Sequence, residues 1–180
     1  MPKDTSCINI LTCENYIKRV LGDVPVERLF EGITGNADFL CMNLETGKIT
    51  PVDPVYLLAQ PHWVSNTLLR RVYENTVSIL NDTEAIYKAG RNIFRTAVGS
   101  QIFLMRVAGV RSTIKRLPQE NAKFNRNRTI EVVENRNGHA VIRIHWNQDA
   151  DITKHFCDMN RGVYEGHGRL TRNPVTVEES

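Results

Sequence analysis

The sequence contains no apolar run approaching the roughly eighteen residues needed to cross a membrane, and no CxxC pair. The first absence excludes a long hydrophobic anchor. The second, with Cys7, Cys13, Cys41 and Cys157 scattered over 180 residues, excludes a disulfide framework, a zinc ribbon and a thioredoxin-like motif, so reduced thiols are expected. The start of the chain is polar at Lys3, Asp4, Thr5, Ser6 and Asn9, where a signal peptide needs an apolar core, and a cytoplasmic location is expected. Without a secretory signal, the sequons at Asn81 and Asn127 read as chance matches. The phosphate-loop, dinucleotide-binding, HExxH and GxSxG strings are all missing, so no chemistry is announced by a motif. Repeats and low-complexity tracts are missing too.

What remains is the profile of an ordinary globular domain: 41% hydrophobic, 24% charged and 7% aromatic residues, with a mean hydropathy of -0.33. A chain of this length buries roughly 70% of the surface exposed by its unfolded form, so it needs neither disulfide nor metal to stay folded. The net charge of +3 is unevenly spread. Residues 61–128 hold 12 basic and 4 acidic groups, and within them Arg106, Arg111, Lys115, Arg116, Lys123, Arg126 and Arg128 are opposed only by Glu120. Such a stretch suits phosphate or an acidic partner, but it is also what a solvated face looks like, and nucleic-acid recognition signatures are missing.

Periodicity divides the chain. Thr12 is expected to cap a short helix that carries Tyr16, Ile17, Val20 and Leu21 and stops at Gly22; a second helical piece runs from Val26 to Phe30. Ala37–Leu44 and Lys48–Val52 flank Glu45-Thr46-Gly47 as a small hairpin, which Asp53-Pro54 breaks. Ser65 caps a helix whose stripe is Leu68, Leu69, Val72, Thr76, Ile79 and Leu80, and Asp82 caps a second with Ile86, Ala89, Ile93 and Ala97. Phe103, Val107, Val110, Ile114 and Leu117 mark a third, which Pro118 is expected to end. The period then becomes two. Arg128–Glu134 and Ala140–Trp146 form a hairpin around Asn137-Gly138, with Ala140, Ile142, Ile144 and Trp146 on one face. A last helix is expected from near Asp149, carrying Ile152, Phe156, Met159 and Val163, loosening at Gly162, Gly166 and Gly168, before an extended run at Val175–Val177. Helices and antiparallel hairpins in separate blocks predict an α+β domain, an antiparallel sheet packed against a helical layer.

Five histidines, His62, His139, His145, His155 and His167, are too dispersed to form a metal cluster by spacing, and read as surface or capping groups. In Tyr87-Lys88-Ala89-Gly90-Arg91 the glycine would let either a ligand or a neighbouring helix approach closely.

The segment His155–Gly166, with its late cysteine Cys157 and the glycine turn Gly162 to Gly166, followed by Val175-Thr176-Val177-Glu178-Glu179, resembles the 4-vinyl reductase-like sensory domains of bacterial signalling proteins. Tyr87, Gly90 and Arg91 look like that family's earlier helix landmark. The resemblance covers 61–180, leaving 1–60 as a helix and hairpin extension packed on the same domain. It implies the α/β ligand-binding fold of TRAPP vesicle-tethering subunits, cut short at its C-terminal hairpin. It also implies a non-enzymatic regulatory domain that pairs as a homodimer through 65–97 and controls an output domain such as a kinase, cyclase or transcription activator. The expected ligand is a small, largely apolar molecule between the helices of 65–117 and the hairpin of 128–146, lined by Phe94, Phe103, Met105, Trp146 and Tyr164, residues that are equally at home as plain core. Some relatives hold structural zinc, a role that maps to Cys157 and Glu178 with two further ligands beyond Ser180; a packed, unligated Cys157 is the plainer expectation. The alternatives are a haem-based gas sensor and a protein-interaction or dimerisation module without ligand.

Overall fold

The computed structural model describes residues 3–23, 26–42, 47–93, 99–147, 150–170 and 175–178, with side chains except those of 99–108 and 169–170. The chain is α+β. Its elements run β1 (Thr5–Ser6), α1 (Ile8–Leu21), α2 (Val26–Leu29), β2 (Leu40–Met42), β3 (Ile49–Pro51), α3 (Pro54–Leu57), β4 (Trp63–Val64), α4 (Asn66–Leu80), α5 (Ala85–Asn92), α6 (Gly99–Ala122), β5 (Arg128–Arg136), β6 (His139–Trp146) and α7 (Lys154–Leu170). Described strands pair in three antiparallel two-stranded sheets, β1 with β4, β2 with β3 and β5 with β6.

The first helix starts four residues earlier than Thr12. Ser6 Oγ accepts from the Ile8 amide (3.3 Å), and Thr12 lies one turn inside with its hydroxyl donating to Ile8 O (2.8 Å). A hydroxyl upstream thus meets the need for an N-terminal acceptor, and Thr12 turns back onto its own helix. The end falls at Gly22 as expected, in positive φ. Ser65 does cap α4, accepting from the Leu68 amide (3.2 Å), and Leu68, Leu69, Val72, Tyr73 and Thr76 are buried. Asp82 accepts from the Glu84 amide (3.0 Å) ahead of α5, which ends at Asn92; Ala97 lies outside the described residues.

Two further helix boundaries differ from the sequence pattern. Pro118 does not end the third helix, which continues to Ala122; the break is at Gly109, whose φ of 73° and ψ of 165° divide α6 into two segments. Glycine reaches that conformation without a Cβ clash, whereas the lost amide donor and the ring crowding of Pro118 are accommodated within the second segment without ending it. The last helix starts at Lys154 rather than near Asp149, which lies outside the described residues, and it runs unbroken through Gly162, Gly166 and Gly168. These glycines do not loosen the chain; the reason for Gly162 is the helix packed on it, described below. Residues 175–178 belong to no strand.

On the β5–β6 hairpin the inward positions pair as Arg128 with Trp146, Ile130 with Ile144 and Val132 with Ile142. A bulge at Val133 then shifts the register, so that Glu134 faces Val141 and Asn135 faces Ala140. The outer face carries Glu131, which holds Arg143 (3.1 Å) and His145 (3.2 Å). One apolar cluster runs from Cys7, Ile10, Cys13 and Ile17 on α1 through Phe30, Leu57, Leu68, Val72 and Ile86 to Phe156 and Met159 on α7. Residues 1–60 and the later helices therefore share a core. Large exposed apolar side chains among the described residues include Met42 and Ile49 on the β2–β3 hairpin and Val133 and Val141 outside β5–β6, and none falls within 65–93. No helix among the described residues is long and apolar enough to cross a membrane.

Candidate functional site

Arg128 opens β5 on the same face as Ile130 and Val132, so strand alternation turns it inward. What precedes it is tightly held. Asn125 donates to Asn121 Oδ1 (3.0 Å) and receives a hydrogen bond from the Thr5 hydroxyl (3.2 Å), and buried Asn127 donates to Asn66 Oδ1 (2.7 Å). The guanidinium lies 4.9 Å from the centroid of its cross-strand partner Trp146, and Nε donates to Asn121 Oδ1 (3.1 Å). The residue as a whole keeps some exposed surface, yet burial of its charged end lowers the arginine pKa. The ionisable groups whose fields act on it are Tyr164, Tyr73 and Cys157, none of them a carboxylate. Among the described residues no carboxylate is paired with it.

Aromatic rings wall this place. Phe156 meets Trp146 edge-on at 6.1 Å and Tyr73 at 5.3 Å, and Tyr73 meets His155 at 6.5 Å. Burial pushes the phenols of Tyr73 and Tyr164 up, and Arg128 pulls both part of the way back. Tyr164 OH, His155 Nδ1 and Thr153 Oγ1 are buried polar atoms with no hydrogen-bond partner, an unusual density for a short stretch of chain. An arginine and a tyrosine hydroxyl among aromatic walls can bind and orient a ligand that brings hydrogen-bond acceptors.

Of the residues expected to line a pocket, Trp146 and Tyr164 both lie around Arg128. Phe94 and the side chains of Phe103 and Met105 lie outside the described residues. Cys157, on α7, is half-buried and acts electrostatically on Arg128; Glu178 is exposed beyond that helix. Among the described residues no group of three or more histidine, cysteine, aspartate or glutamate side chains is placed to hold a metal ion. Two ligands fall short of the four that a closed structural zinc site requires, so the residues present do not make one.

Sequence patterning placed Arg128 in a basic stretch suited to phosphate, an acidic partner or solvent, read Phe156 on the apolar side of the last helix and His155 as a surface or capping group, and passed over Tyr73. The signal that finds Arg128 is its place two residues before Ile130 on the apolar face of the strand.

The Tyr87–Arg91 segment serves a different purpose. Gly90 and Gly162 lie where α5 crosses α7, so the close approach is that of a helix. Beside the crossing the Tyr87 hydroxyl donates to Glu165 Oε2 (2.5 Å), Arg91 Nε lies 3.5 Å from the same oxygen, and the Arg161 guanidinium lies 4.4 Å over the Tyr87 ring. A cleft of about 50 Å³ between α1 and α5, lined by Thr12, Tyr16, Arg19 and Asn92 among others, is far smaller than a ligand pocket of the usual several hundred Å³.

The chain matches no protein-family model, no curated protein and no solved structure.

Proposed function

We propose that the chain is a cytoplasmic regulatory domain that binds a small, largely apolar molecule, without turning it over, and thereby controls an output domain. One observation carries the binding: Trp146, Phe156, Tyr73 and Tyr164 gather around Arg128 where α4, α7 and the β5–β6 hairpin meet. Aromatic walls with a few convergent polar groups are the usual make-up of a small-molecule site. The regulatory role, the homodimer and the TRAPP-like fold rest on the resemblance of 155–166 and 87–91 to sensory domains.

Native mass spectrometry of the full chain purified from its own host tests this reading, because subunit number and bound molecules are read together. A dimer carrying one small organic molecule per subunit is the expected result. A monomer at tens of micromolar would remove the dimer, and turnover of a bound molecule, abolished by substituting Trp146, would remove the non-enzymatic reading. A visible spectrum of the same sample with a Soret band would replace the apolar ligand by haem.

A further inference from the structure

We propose that Arg128 and Tyr164 form a receptor for a monoanionic carboxylate, so that the molecule bound at this site is a small organic acid with an aromatic or aliphatic body. The inference rests on the ligand-binding reading and adds the chemical class of the ligand.

The argument begins with an imbalance of charge. Arginine stays protonated in proteins, and a buried charge is costly unless a counter-charge and hydrogen bonds replace the water it has lost. Arg128 has a ring face from Trp146 and one side-chain acceptor from Asn121, but no carboxylate among the described residues. Several arginines and lysines on the neighbouring helices differ in this respect, Arg70 being held by Asp151 (2.8 Å), Arg91 by Glu165 (3.5 Å) and Lys154 by Asp158 (2.7 Å), while Arg161 shares it over the Tyr87 ring. Arg126, its neighbour at the start of the hairpin, stacks on Trp63 at 4.1 Å outside this cluster.

A hydroxyl completes the receptor. Tyr164 OH is buried, has no partner, and lies within the field of Arg128. Its phenol remains protonated at neutral pH, so it is available as a donor. A planar guanidinium offers a fork matched to the two oxygens of a carboxylate, and a phenol adds a further donor to one of them. The charge class follows from the guanidinium itself: its single positive charge balances one negative charge and leaves a phosphate dianion undercompensated. The body of the ligand would lie against Trp146, Phe156 and Tyr73, whose rings are already arranged edge-to-face.

Benzoate and benzyl alcohol, nearly equal in shape and different in charge, are the probes, with calorimetric titration of the full-length wild type, Arg128→Met, Arg128→Lys and Tyr164→Phe at neutral pH. Wild type is expected to prefer benzoate by about tenfold or more, as a charge-assisted hydrogen-bonded pair does over a neutral one. Arg128→Met should abolish that preference while benzyl alcohol still binds, and Tyr164→Phe should reduce it. If the methionine variant does not fold, Arg128→Lys decides the point, since it keeps the charge and loses the fork, and the preference should fall several-fold. Equal binding of the two probes by wild type would overturn the carboxylate receptor and leave the apolar-ligand reading standing. A preference for benzoate that survives in both arginine variants would place the anion elsewhere and likewise overturn it. Failure of both probes to bind at millimolar concentration would overturn both readings.

Discussion

Gly90 on α5 and Gly162 on α7 each stand where a side chain would strike the backbone of the other helix. A Cβ on Gly90 would come within 3.2 Å of Val163 N, and one on Gly162 within 2.8 Å of Arg91 N. The two helices therefore touch through main chain, and this contact fixes α7, with Phe156, Cys157 and Tyr164, against the rest of the domain.

Gly162→Ala puts the two effects of a methyl group in opposition. Helix propensity favours alanine by up to about 1 kcal/mol in a helix interior. The added atom also collides with Tyr87 O and the Arg91 amide, which are backbone and cannot swing aside. Overpacking of this kind costs about 1–3 kcal/mol, so the variant should be less stable than wild type in urea unfolding. A neutral or stabilising result would mean that the helices separate at little cost.

The pH dependence should carry a histidine signature. Burial lowers the pKa of His167 from 6.5, and the hydrogen bond with Val163 O (2.9 Å) only partly restores it. Above that value the ring is neutral whether the chain is folded or not, and the group has no effect on stability. As pH falls through 6.5 the unfolded chain takes up a proton that the folded one resists, so stability declines until the lower folded value is passed. The lowered carboxyl groups of Asp82, Glu131 and Glu134 act in another window: their stabilisation is present above 3.8 for the aspartate and 4.5 for the glutamates, and fades as pH falls through their still lower folded values. Chemical denaturation between neutrality and mildly acidic pH should therefore weaken wild type and leave His167→Gln flatter; parallel curves would show that the ring is not held neutral.

Thiol chemistry should separate the cysteines. Cys7 and Cys13 are fully buried, and desolvation pushes each thiol up to about 12, so almost no thiolate forms at neutral pH. Cys41, half-exposed on β2, should react with iodoacetamide first, while Cys7 and Cys13 should be labelled only after denaturation. Peptide mass mapping reads this directly, and rapid labelling of Cys13 in the native protein would mean that α1 lifts from α4 and α5.

The sequence made some of these features legible and hid others, for identifiable physical reasons. Ser65, the α4 stripe and the alternation of Ala140 to Trp146 follow rules that act over a few residues, and they appear where the pattern puts them. Thr12, Pro118 and the glycines of α7 were misleading because the deciding partner is not adjacent in sequence. Ser6 supplies the early acceptor for α1, Gly109 takes the break ahead of Pro118, and α5 makes Gly162 a packing surface. The pairing of β1 with β4 left no local trace, since two residues carry no period. In the candidate site the same division holds. Trp146 could be read from alternation, whereas the groups that act on Arg128 include Tyr73, Tyr164 and Asn121, gathered from three helices.

The placement of Thr5 and Ser6 also sets an order of events. Their strand is held on one side by Trp63 and Val64, while the Ser6 amide reaches Phe124 O (2.8 Å) and Thr5 bridges to Asn125. Thr5 and Asn125 are 120 positions apart. On the ribosome, then, this segment has to wait until 120 further residues have been added before its far neighbour exists. β1 works as a clasp, synthesised before α4, α5 and α6 and fastened only after they have been made.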